Sequence, residues 1–190
     1  MTPHIYLFSY NRARFLENCL ASIRDCAPQC GVTIVDDSSD DRATVDLLRR
    51  CQGTHEILKP EGAVKIDVPY GGLYNNMNMA LCHARDCGRE RVVFIQDDIQ
   101  FVRRLTETDV EYIEAFFSRY PRSFKLQTTF LKKGLKPYDE RRMTLDAESR
   151  VYFRRREGPG LIDFSDVGVF HVPRFFESFR GNTRGRVEKR

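Results

Sequence analysis

Two short apolar runs, each closing on a pair of aspartates, limit what this chain can fold into more than any other feature. Residues 32–35 (VTIV) lead into Asp36-Asp37, and Arg91–Gln96 (RVVFIQ) lead into Asp97-Asp98. Strands this apolar on both faces belong in a parallel sheet covered on both sides. A similar run, His4–Ser9 (HIYLFS), opens the chain. Between these runs the apolar residues recur at helical spacing: Phe15, Leu16, Cys19, Leu20 and Ile23 in one segment, and residues 73–87 in another. A short helix over residues 43–51 and a weaker strand near residues 56–58 complete the alternation. The pattern predicts an α/β fold, a mostly parallel sheet with helices on both faces, in a single domain. Right-handed crossovers place the carboxyl ends of parallel strands on one edge, where open α/β sheets bind their ligands. The two acid pairs are therefore expected to converge although they are far apart in sequence.

Residues 105–190 are less regular. Thr106 is placed to cap a helix whose Val110, Ile113, Phe117 and Tyr120 face the core. Strands are expected over residues 123–131, 151–153 and 167–172, with Gly158-Pro159-Gly160 as a turn and Pro173 opening a last helix through Phe179. Residues 132–142 read as a basic loop, and the Gly/Arg-rich tail from Gly181 has the composition of a disordered segment.

Composition removes several function classes. With 41% hydrophobic and 31% charged residues the 190-residue chain has the profile of a soluble globular protein. No apolar run approaches the roughly 20 residues of a membrane helix. The opening MTPHIYLFSYN lacks a signal-peptide layout, so a cytoplasmic location is the expectation. The six cysteines form no CxxC pair and no zinc spacing, and a disulfide framework does not suit this much core. Residues 101–190 carry 20 Lys and Arg against 13 Asp and Glu. That surplus is either a solvated surface or a surface for an anionic acceptor, including peripheral contact with an anionic membrane bearing a lipid-linked acceptor. The arginines are not interleaved with aromatics as in nucleic-acid modules, so no nucleic-acid partner is expected. No P-loop and no GxGxxG fingerprint is present.

Four segments carry chemistry together: Ser9-Tyr10-Asn11-Arg12, Val35-Asp36-Asp37-Ser38-Ser39-Asp40, Gly72-Leu73-Tyr74-Asn75-Asn76-Met77-Asn78, and Phe94-Ile95-Gln96-Asp97-Asp98. Their order and spacing resemble the amino-terminal half of glycosyltransferase family 2 enzymes, which have the GT-A fold. Those enzymes show a T-Y-N-R turn, V-D-D-G-S, a G-L-x-x-A-R-N-x-G stretch and a D-x-D or D-D-D motif. The resemblance covers about residues 4–104, which makes residues 1–104 the expected nucleotide-sugar-binding half and residues 105–190 the acceptor side. Three departures stand out: Ser38 replaces the motif's glycine, Met77 its arginine, and Gln96 the first acid of its triplet.

The resemblance implies a transferase that moves a sugar from a nucleotide-diphosphate donor, a UDP-sugar by expectation, to a hydroxyl of a glycan or lipid-linked acceptor, with inversion. The chemistry supports it independently. Leaving-group charge on a diphosphate calls for a divalent cation, Mn2+ or Mg2+, and hard cations select carboxylates. Asp98 is the expected metal ligand, with Asp97 on a ribose hydroxyl or metal-bound water. Asp36 can accept from a uracil imide N–H, while Asp37 serves either the nucleotide or, like Asp40, a helix cap. Tyr10 would stack on the base, and Arg12 would pair with a phosphate or with Asp36. Asn11 and Asn78 enter the nucleotide-binding set from their motifs. His171 is either a third metal ligand or a structural histidine. Inverting transfer also needs a general base, which the family supplies in a Glu-Asp motif. No Glu-Asp dipeptide follows residue 104, and Asp163 and Asp166 are the nearest catalytic candidates, with turn or capping roles as the alternative. Two other readings stay open: a non-catalytic GT-A-like module that binds a nucleotide sugar or a partner, and a nucleotidyltransferase on a related fold.

Overall fold

A computed structural model describes residues 1–60, 72–127, 143–149, 151–154 and 167–179. In chain order the elements are β1 (His4–Ser9), α1 (Ala13–Cys26), β2 (Val32–Asp36), α2 (Arg42–Cys51), β3 (Glu56–Leu58), α3 (Leu73–Asp86), β4 (Arg91–Gln96), α4 (Glu107–Arg119), β5 (Lys125–Leu126), β6 (Met143–Asp146), β7 (Val151–Arg154), β8 (Gly168–His171) and α5 (Val172–Phe179). Six strands form one sheet in the order β3-β2-β1-β4-β8-β5. The first four run parallel, and β8 enters antiparallel to both β4 and β5. The mostly parallel α/β sheet expected from the sequence is present.

Side-chain alternation along the central strands feeds two cores. On one face Ile5, Leu7, Ile34 and Ile95 pack with Leu16, Cys19 and Ile23 of α1 and Leu47 and Leu48 of α2. On the other, Tyr6, Phe8, Val35, Val92 and Phe94 pack with Met77, Ala80, Leu81 and Ala84 of α3 and with Phe170 and Val172. The apolar positions of α3 recur at i, i+3, i+4 and i+7, the stripe that fixes which way the helix turns. Thr106 caps α4 in a reciprocal capping box with Asp109, as its sequence position indicates, and Ile113, Phe116 and Phe117 are the buried residues. All six cysteines are free thiols.

The chain divides into two compact units, residues 1–127 with 166–190, and residues 128–165. Within the second, β6 and β7 form an antiparallel hairpin in which Leu145 pairs with Tyr152 and Asp146 with Val151. The expected strand at residues 151–153 is β7, but β6 has no counterpart in the sequence reading. The basic loop at residues 132–142, the Gly158-Pro159-Gly160 turn and the tail from Gly181 lie outside the described residues.

Candidate functional site

The strand register settles whether the acid pairs meet. Ser9 at the end of β1 pairs with Asp36 of β2, and Phe8 pairs with Gln96 of β4. The chain past each strand keeps this alignment: Asp37 N–H donates to the Ser9 carbonyl and Asp97 N–H to the Phe8 carbonyl, both at 3.0 Å. Only β1 separates the two acid-bearing strands, so the pairs stand two strand spacings apart, about 10 Å, on one sheet edge.

At the first pair Asp36 is wholly buried. Its Oδ1 accepts from Ser39 Oγ at 2.5 Å and its Oδ2 from Ser39 N–H at 3.2 Å. Lys59, just past β3, brings its Nζ to 3.2 Å from the same Oδ2. These donors satisfy the oxygens of a carboxylate removed from water. Asp37 turns away toward α3: it accepts from Gly72 N–H at 2.9 Å and from Asn76 Nδ2 at 2.8 Å. It therefore holds the amino terminus of α3 to the end of β2. Neither Asp37 nor Asp40 caps α2, whose cap is Asp41, accepting from Ala43 and Thr44 N–H. A Cβ on Gly72 would lie 2.5 Å from Asp37 Oδ1, so the close approach needs glycine there.

At the second pair Asp97 is buried and Asp98 exposed. Asp97 Oδ2 accepts from Ser9 Oγ at 2.9 Å, and the Tyr10 backbone N–H also donates to this carboxyl. Burial raises its pKa above the ordinary 3.8. The Ser9 bond and the Arg12 charge oppose the rise, while the neighbouring Asp98 adds to it. Arg12 Nη1 lies 3.0 Å from Asp98 Oδ2 and 3.6 Å from Asp97 Oδ1. The expected partner of Arg12, Asp36, is instead held by Lys59. Tyr10, which follows Ser9 at the end of β1, is 48% exposed, an open aromatic surface.

The other predicted site residues divide. Asn11 is a structural clamp: its Oδ1 accepts from Asp40 and Asp41 N–H at 2.9 and 3.0 Å, its Nδ2 donates to Asp40, and its backbone N–H donates to Ser39 Oγ. It adopts φ 51°, which asparagine tolerates better than most residues. Ser38, standing where the motif has glycine, has φ 63°, so the turn retains the glycine geometry without the glycine. Asn78 is exposed on α3, whereas Asn76, not singled out in the sequence, is buried and bonded to Asp37.

His171 does not join the metal set. β8 runs antiparallel and pairs His171 with Arg91, at the far end of β4 from Asp97, about 20 Å away at the strand rise. It is buried, accepts from Arg174 N–H at 3.5 Å, and has its pKa lowered to about 4 by burial and then by Arg91 and Arg174. It is a neutral structural histidine. Asp163 and Asp166 lie outside the described residues. Lys59 is a contributor that the sequence reading left out, and Ser9, quoted in the first motif segment, had no role assigned to it there. Both follow from topology alone, since each closes a parallel strand on the ligand-binding edge.

Among the described residues no group of three or more His, Cys, Asp or Glu could hold a metal ion by itself. Two carboxylates that already hold a guanidinium nevertheless fit a hard cation that completes its shell with phosphate and water. A cavity of about 960 Å3 lined by Thr2, Arg24, Gln29 and Leu105 lies at the other end of the sheet, beside the start of β1. Asp25, Glu107 and Glu111 also line it, beside Arg24 and Arg104, but it lies away from the carboxyl ends of the parallel strands, where open α/β sheets bind their ligands.

The model of the family described as Glycosyl transferase family 2 matches residues 5–155. Among solved structures, the chain is similar to a mannosyltransferase from Pyrobaculum calidifontis in complex with GDP-Man and Mn2+, with a TM-score of 0.57 and 20% identity, over 94% of this chain and 46% of that one. It is also similar to S. aureus TarS in complex with UDP, at 0.54 and 16%, over 95% and 49%. A cytidylyltransferase from Leptospira borgpetersenii shares the fold at 0.52 and 10%, over 98% and 66%. The chain spans about half the length of the first two. No curated protein matches it in sequence.

Proposed function

This chain belongs to glycosyl transferase family 2, and on that premise we propose that it transfers a sugar from a UDP-sugar to a hydroxyl of a glycan or lipid-linked acceptor, with inversion and with Mn2+ or Mg2+. The observation that carries the reading is the register that sets Asp36 and Asp97-Asp98 on either side of β1 at one sheet edge. The neighbours bound to GDP-Man with Mn2+ and to UDP agree with a nucleotide-sugar donor.

Each residue's work follows from its surroundings. Asp36 is assigned the single imide N–H of uracil, which would join or replace one of the Ser39 and Lys59 donors on this wholly buried carboxylate. Tyr10 offers its exposed ring to a base face. Asp98, exposed, and the Ser9-anchored Asp97 would hold the cation, which when bound offsets charge on the departing diphosphate. Asp37 holds the start of α3, including Gly72 and Asn76, against the end of β2. Asp166 or Asp163 is assigned the proton of the acceptor hydroxyl. Residues 1–104 make up the donor half and residues 105–190 the acceptor side. Among the described residues no helix is long and apolar enough to cross a membrane. The basic surplus of residues 101–190 suits an anionic acceptor or peripheral contact with a membrane surface.

Calorimetric titration of the chain with UDP in the presence of Mn2+, followed by the same titration of Asp98→Ala, tests the reading. Binding in the wild type that the substitution abolishes is expected. No UDP binding by the wild type would sink the donor assignment. UDP binding that Asp98→Ala leaves intact would sink the metal assignment.

A further inference from the structure

Arg12 occupies a revealing place. One nitrogen, Nη1, bridges the two carboxylates, at 3.0 Å from Asp98 and 3.6 Å from Asp97. A divalent cation bound to the same carboxylates would stand about 2.1 Å from their oxygens, too close for a guanidinium on those oxygens to remain. The backbone of Arg12 is fixed, because its carbonyl accepts from Leu16 N–H at 2.9 Å in the first turn of α1. Its side chain is half exposed and makes no hydrogen bond to the helix end, so its partners are the two carboxylates and not the backbone. In this same conformation its Cζ lies 5.8 Å from the centroid of the half-exposed Phe15 ring, a contact that does not depend on the carboxylates.

The geometry points to Arg12 as a displaceable counter-cation, a positioning residue that holds Asp97 and Asp98 until a divalent cation takes them. The inference rests on the metal-dependent reading above. Asp97 is buried and lies beside a second carboxylate, so the pair is unfavourable without a positive charge. Arg12 supplies that charge from within the chain. A divalent cation supplies twice as much and displaces it, after which the released guanidinium is available to the incoming diphosphate. Arg12 thus couples two occupancies: it competes with the metal and favours the nucleotide.

The test uses Mn2+ alone, titrated into the full chain and followed by the electron paramagnetic resonance signal of free Mn2+, with UDP added in a second series. Arg12→Gln is expected to bind Mn2+ about twofold to fivefold more tightly than wild type, with Arg12→Lys in between. The gain should shrink as salt rises, because the competing charge is solvent-exposed. Asp98→Asn should abolish Mn2+ binding in either background. In saturating Mn2+ the sign should reverse, with Arg12→Gln binding UDP more weakly than wild type. Mn2+ affinity in Arg12→Gln that is equal to or below that of wild type overturns the latch while leaving metal-dependent binding in place. Weaker UDP binding with unchanged Mn2+ affinity would make Arg12 a plain phosphate contact and likewise overturns it. Absence of Mn2+ binding in every protein overturns the latch and the metal-dependent reading together.

Discussion

Replacing Asn11 separates a ligand contact from a structural clamp. The side chain makes three hydrogen bonds across the β1–α1 and β2–α2 turns, to Asp40 N–H, Asp41 N–H and the Asp40 carboxylate. The Asp41 bond is partly buried and is worth about 1 kcal/mol, while the two at exposed Asp40 contribute about 0.5 kcal/mol each. Alanine must also adopt the φ of 51° that asparagine holds here, which adds about 1 kcal/mol. Asn11→Ala should therefore lose about 3 kcal/mol of stability. Asn11→Gly loses the same bonds without the backbone cost, and should be about 1 kcal/mol more stable than the alanine variant. Urea denaturation monitored by circular dichroism reads both values, with the slope of the transition unchanged. UDP affinity, measured well below the unfolding midpoint, should change little in either variant. Unaltered stability together with a collapse of UDP binding would refute the clamp and restore Asn11 as a nucleotide contact.

Ser38→Gly should raise stability by about 1 kcal/mol, because φ 63° costs serine what glycine adopts freely. For a chain of this size that is an increase of about 2–4 °C in melting temperature, read by differential scanning calorimetry, and Ser38→Ala should give no such gain. Asp97→Asn probes the raised carboxyl. A pKa above 3.8 means that the folded state binds the Asp97 proton more tightly than the unfolded chain does. The stability that this proton linkage contributes is present in full below 3.8 and is lost as pH rises through the folded-state value. The asparagine variant lacks this loss, so wild type should lose stability relative to it from pH 3.8 upward, as measured by urea midpoints across pH. A gap that widens toward acid would contradict the assignment.

The parts of the fold visible in the sequence are those where one physical demand acts alone. Strands β1, β2 and β4 must be apolar on both faces, and their residues show little else. The common edge of Asp36 and Asp97 then follows from handedness rather than from any local signal. Asn76 was legible in principle, because it shares a helical face with Ala80 and Ala84, but motif matching drew attention to Asn78. His171 was not legible. Alternation in β8 leaves its side open, and no local feature announces that the strand runs against its neighbour. β6, with Thr144 and Asp146 among its four residues, has neither the apolar content nor the length to stand out. The role of Arg12 depends on a contact between the turn after β1 and the carboxyl end of β4, which no spacing along the chain encodes.

The single strand between the two acid pairs has a consequence for how such a molecule can change. Hydrogen-bonded neighbours keep a near-constant pitch, so repacking the interior leaves the Asp36 end and the Asp97-Asp98 end equally far apart. On the proposed reading, differences in donor size or base would be accommodated by the turns beyond the strands and by side chains such as Lys59 and Tyr10. The sheet acts as a ruler, and variation is confined to its tips.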